Sequence, residues 1–135
     1  LPRLFAHATA RAARGDYDNA TSLFAACMCQ DPSSLRYAQA FLENLERKYR
    51  NLGLDQLTMR SQSRAARIAL DDAEREQDWE GGYLYGVYAL TLDPWDLHVL
   101  GHMAAAELVF WKQERLSGFR ECEAYFRDKA TATPD

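Results

Sequence analysis

The sequence predicts an all-α fold, and three observations carry that expectation. Apolar residues recur at spacings of three and four in one segment after another. Between those segments stand helix-stopping pairs: Arg14-Gly15, Asp31-Pro32, Leu52-Gly53, Asp93-Pro94 and Ser117-Gly118. No stretch alternates apolar with polar residues as a half-buried strand would, so no sheet is expected. The 135 residues read as one domain of about seven antiparallel helices.

The first helix is expected from Leu4 to Ala13, a run of mostly Ala, Leu and Phe. Asp16 is a candidate N-cap for the second, which sets Ala20, Leu23, Phe24, Cys27 and Met28 on one face. Asp31-Pro32 ends it, because proline disfavours helical backbone at the residue before it. Ser33 or Ser34 caps a third helix bearing Tyr37, Phe41, Leu42, Leu45 and Tyr49. The segment after Gly53 admits two readings. Either Asp55 to Met59 is a shortened helix, or the third helix stands alone and a loop over residues 51–62 leads onward. The scarcity of apolar groups there favours the loop, which would be the most mobile part of the domain. A fourth helix is expected from about Ser63 to Glu76, a fifth from Trp79 to Leu92, and a sixth from the Asp96 cap to about Arg115. The seventh holds Phe119, Cys122, Tyr125 and Phe126.

Charge and cysteine usage narrow the function classes. Sixteen basic against twenty acidic residues leave a net charge of −4, which argues against a dedicated nucleic-acid binder. No apolar run approaches the length of a membrane span. Three cysteines cannot all pair within one chain, and reduced thiols in a helical core, hence a cytoplasmic setting, are expected. Cys27-Met28-Cys29 lacks the second ligand pair of a metal site. The opening on Leu1 fits a piece of a longer protein, so any membrane tether would lie outside this segment.

The two Asp-Pro endings invite a self-comparison. Residues 1–34 read as a helix, a Gly15-Asp16-Tyr17 turn, a second helix with Ala20 and Phe24, and a closing Pro32. This unit resembles a tetratricopeptide (TPR) repeat, as found in bacterial TPR proteins of unassigned role. Leu4 and Arg11 depart from the aromatic residues that the family prefers. The template returns 62 residues later: Asp78-Trp79 matches Asp16-Tyr17, Gly82 matches Ala20, and Asp93-Pro94 matches Asp31-Pro32. Gln77 replaces the turn glycine and Gly86 replaces Phe24, so residues 63–94 form a degenerate copy. Residues 95–135 form a third, extended copy ending at Pro134, and residues 35–62 a lone helix plus loop. Small residues at Ala20, Gly82 and Cys122 would let the second helix of each unit approach the first.

The resemblance implies a right-handed helical solenoid with an irregular middle, whose concave face is lined by the first helix of each unit. The groove residues so selected are Phe5, Thr9, Arg36, Gln39, Glu43, Arg64, Arg67, Val99 and Met103. They imply a non-enzymatic interaction module, or scaffold, that holds a partner peptide or helix. Phe5, Val99 and Met103 would anchor the partner; Arg36, Arg64 and Arg67 would orient it. Where TPR domains that clamp a chaperone's acidic tail carry Lys and Asn, this chain has Phe5, Thr9, Ala40, Asp96 and Leu100, so no such tail is expected. Self-association into a homo-oligomer through Trp111, Tyr125 or Phe126 is the alternative.

Other candidates fall to plainer readings. Between Arg47 and Arg67 six cations face Asp55 alone, a balance of +5; between Asp71 and Glu80 six anions face Arg75 alone, a balance of −5. These could form an anion-binding patch, but a solvated loop and helix end is the simpler account, and only Tyr49 supplies an aromatic for nucleic acid. His98 and His102 share a helical face four residues apart, yet no third ligand stands nearby, and a packed or partly exposed pair is preferred. Gly81-Gly82 and Gly86 do not form a phosphate loop. No nucleophile motif is present, so no catalytic residue, metal or cofactor is expected.

Overall fold

The computed structural model describes residues 2–132, and within them seven α-helices form the whole of the regular structure. They are α1 Pro2–Ala13, α2 Tyr17–Gln30, α3 Leu35–Leu52, α4 Gln56–Arg75, α5 Trp79–Leu92, α6 Leu97–Glu114 and α7 Ser117–Thr131. The expected closing residue Pro134 lies outside the described residues.

Local chemistry explains most of the boundaries. Ser34, Asp78 and Asp96 accept hydrogen bonds from the free N–H groups of the first turns of α3, α5 and α6. Asp16 stands at the N-cap position of α2 but spends its carboxylate on Asn19 and Arg11 instead. Asp31 and Asp93 close their helices alike: each carboxylate takes the N–H two residues on, at Ser33 (3.2 Å) and Trp95 (3.0 Å).

The expected loop over residues 51–62 is not there. Gly53 caps α3 in the left-handed conformation, Leu54 comes next, and Asp55 caps α4, accepting from Thr58 N–H at 2.7 Å. The first half of α4 is helical because a narrow stripe of Met59, Ser63 and Ala66 is buried, continuing into Leu70 and Ala73. Small and polar residues in that stripe hide the apolar period.

The 62-residue offset extends to whole elements. α2 and α5 are both 14 residues long and α3 and α6 both 18, each pair displaced by 62 positions. The backbone agrees even where the residue differs. Gln77 takes a positive φ of 58° in the place of Gly15 at 77°, and Arg115 takes 59° in the place of Gly53 at 67°. The underlying unit is therefore a three-helix segment, α1–α3 and then the latter part of α4 with α5 and α6.

Helix pairs α1/α2, α2/α3, α4/α5, α5/α6 and α6/α7 pack side by side, whereas α3 and α4 share no packed interface. The halves are joined instead by α2 against α5 and α3 against α7. Phe24, Met28, Phe41, Leu42, Leu45, Leu70, Leu90, Leu100, Met103 and Phe126 fill one continuous core between them. Lys129 of α7 reaches both carboxylate oxygens of Glu46 on α3 (3.1 and 3.2 Å), and Tyr49 donates to the Thr91 carbonyl at the end of α5. The expected close approach at Gly82 is made chiefly to α6: a Cβ there would lie 2.8 Å from His102 Nε2, and Ala73 of α4 only at ordinary contact distance.

Candidate functional site

α1 and α3 lie side by side over α2, and the valley between them is the candidate site. Two adjoining hollows run along it, of about 400 and 280 Å³, sharing Phe5, Thr9 and Arg36. Phe5 is set by two aromatic neighbours: Phe24 edge-on at 5.7 Å between ring centres and Tyr37 tilted at 5.0 Å. The Arg36 guanidinium covers its outer side at 4.7 Å. Ala12, Ala13 and Ala40 leave the walls low, and Glu43 and Arg47 stand exposed along the rim.

One polar group on the lining of this valley is incomplete. Asn44 is buried, and its amide nitrogen donates to Thr21 Oγ1 (2.9 Å) and to the Tyr17 carbonyl (3.2 Å). Its carbonyl oxygen Oδ1 is buried without a hydrogen-bond partner. A buried acceptor without a partner carries a desolvation cost of about 1–3 kcal/mol.

Of the residues expected in the groove, Phe5, Thr9, Arg36 and Glu43 converge here. Gln39 is half-buried on α3 and does not line either hollow. Arg64 and Arg67 belong to α4, away from the valley, and Arg67 is engaged with Asp96 at 3.3 Å and with the Arg60 carbonyl. Val99 and Met103 are fully buried, which corrects their expected place on an open face. Their helix, α6, is apolar on nearly every side and packs between α5 and α7, so it is a core helix and offers no groove wall. Phe126 is likewise buried, leaving only partly buried Trp111 and Tyr125 of the aromatics expected to self-associate. Asn44 and Tyr37 were not among the expected site residues. A lone Asn between Phe41 and Leu45 on a buried helical face is the signal that could have found the first.

The histidine pair has a structural role. His98 Nε2 meets Asp71 at 2.7 Å and His102 Nδ1 meets Glu74 at 2.9 Å, two clasps between α6 and α4. His102 also stacks on Trp79, with ring centres 5.7 Å apart. Among the described residues no three His, Cys, Asp or Glu side chains gather as a metal site. Cys27, Cys29 and Cys122 are free thiols, and burial pushes the thiols of Cys27 and Cys29 up.

A second cleft of about 300 Å³ lies where α5, α6 and α7 meet the end of α2, lined by Cys29, Pro32, Tyr83, Leu84, Phe110 and Phe119 among others. Within the nearby core Glu107 is fully buried, and neither carboxyl oxygen has a hydrogen-bond partner. Burial, reinforced by the charge of Asp31, pushes its pKa up to about 9, against a weaker opposing pull from Tyr83. No helix is long and apolar enough to cross a membrane among the described residues. Set against protein-family models, curated proteins and solved structures, the chain matches none of them.

Proposed function

We propose that the chain is a non-enzymatic interaction module, a short helical-repeat array of TPR type that holds a partner peptide or helix in the α1/α3 valley. The right-handed solenoid turn implied by the TPR resemblance is part of this reading. The observation that carries it is the valley itself, with a fixed aromatic at Phe5, cations at Arg36 and Arg47, and a buried acceptor at Asn44. An apolar anchor flanked by charges, with few polar groups to satisfy, suits a short segment laid along the groove. The partner's side chain would sit against Phe5, and an acidic group would meet Arg36 or Arg47.

Selection from a displayed peptide library tests this reading. Enriched peptides should bind the chain and lose at least about tenfold in affinity to Phe5→Ala combined with Arg36→Glu, consistent with truncation of an interface anchor. Arg64→Ala, on α4, should leave that affinity unchanged. Failure to enrich any peptide, or equal binding to the double variant, would overturn the groove assignment.

A further inference from the structure

We propose that the corner between α3 and α4 is a docking surface for an anionic lipid bilayer. Three leucines stand in the open there: Leu52 is 59% exposed, Leu54 39% and Leu57 83%. They stay open because α3 and α4 do not pack side by side where the chain turns at Gly53; Leu52 borders a hollow against the α1–α2 turn. Leu57 projects from the first turn of α4 while Met59, two residues on, is buried in the core, so the backbone here is anchored and the leucine is not.

Charge decides the kind of partner that covers this corner. Arg60 and Arg64 are exposed about one and two turns beyond Leu57 on the same side of α4, and Arg50, in the last turn of α3, is exposed with its guanidinium over Trp95 (5.9 Å). The acids near the corner are all engaged: Asp55 takes the Thr58 N–H, a bond that holds its carboxyl below the usual range, and beside Leu52 Asp18 pairs with Lys48 (2.7 Å) while Asp16 takes Arg11 and Asn19. At the other end of α4, roughly 30 Å away for 20 residues, lies the acidic run from Asp71 to Glu80. The helix is thus a charged lever with its cationic end at the leucines. An anionic surface attracts that end, repels the other, and gives the leucines a hydrocarbon boundary to enter. A folded acidic protein would use the arginines but has no comparable need for three open leucines. Single-stranded nucleic acid would call for open aromatic faces beside the cations, and the open apolar group beside Arg60 and Arg64 is Leu57, while the Trp95 ring near Arg50 is partly buried against the core.

Cosedimentation of the 135-residue chain with vesicles is the test. Vesicles of phosphatidylcholine with phosphatidylserine, about three to one, should carry the chain down, phosphatidylcholine alone should not, and added salt should release it. Leu57→Ser and the pair Arg60→Glu with Arg64→Glu should each weaken binding at least about tenfold, and Leu84→Ser on α5 should not. Circular dichroism checks that these exposed substitutions leave the helices intact. No binding to either vesicle, or equal binding to both, overturns the proposal. So does dependence on the arginines without dependence on Leu57, which would assign the corner to an acidic macromolecule. The groove variant, Phe5→Ala with Arg36→Glu, should still bind vesicles, so this proposal and the peptide-groove reading fail separately.

Discussion

A carboxyl group buried in an apolar core without a geometric hydrogen-bond partner keeps its proton, and Glu107 is in that position at neutral pH. The folded chain holds the proton up to about pH 9, whereas the unfolded chain releases it at the ordinary value of 4.5. Between those values only the unfolded state gains from ionisation, so stability falls as pH rises, by at most about 1.4 kcal/mol per unit, and levels off above about 9. Glu107→Gln keeps the shape and removes the ionisable group. It should stabilise the fold at pH 7 by on the order of 2–3 kcal/mol, have little effect near pH 4, and flatten the pH profile. Urea unfolding across that range measures this; a profile as steep as the parent's would show that another group is responsible. His102 contrasts with it. Its Nδ1 is engaged by Glu74, and its ring fills the notch left by Gly82, so this residue works by shape as well as by hydrogen bonding.

Among the helices, α7 depends most on a single small residue. Gly118 sits in its first turn, where a Cβ would come 2.1 Å from the Ser33 carbonyl oxygen and 3.2 Å from its carbon. Both obstacles are backbone, so the helix itself would have to move. Gly118→Ala should therefore cost about 1–3 kcal/mol of stability by urea unfolding. Gly101→Ala, in the middle of α6 with open space around it, should gain about 0.5–1 kcal/mol from helix propensity. If both substitutions were neutral, α7 would not be seated against the α2–α3 turn as described. Helices with explicit punctuation, such as α2 and α5, were legible to the residue from the sequence, because Asp-Pro endings act locally. The start of α4 was not, since its buried stripe uses Ser63 and Ala66, whose burial depends on the side chains that pack over them. Val99 and Met103 were misplaced for a related reason. The TPR resemblance put them on the concave face of a first helix, but α6 is apolar on nearly every side and packs between α5 and α7, so its neighbours turn both residues into the core.

At the scale of the whole molecule, the contacts of α2 with α5 and of α3 with α7 bind two similar halves into one core. In an open stack each unit leans only on its neighbours and melts with partial independence. Here the halves should unfold together. Tryptophan fluorescence offers a clean probe, since Trp79, Trp95 and Trp111 all lie in the second half, while far-ultraviolet circular dichroism reports every helix. Urea transitions followed by the two signals should coincide, as for a two-state domain. A midpoint separated between the signals would mean that the halves are merely adjacent.

The tie between Glu46 and Lys129 also sets an order of events during synthesis. The two residues are 83 positions apart, so α3 leaves the ribosome roughly ten seconds before its partner exists. During that interval the side of α3 that later meets α7 has no cover, and a chaperone or another nascent chain can reach it. Of the seven described helices, the one translated after the others is thus the one that covers α3.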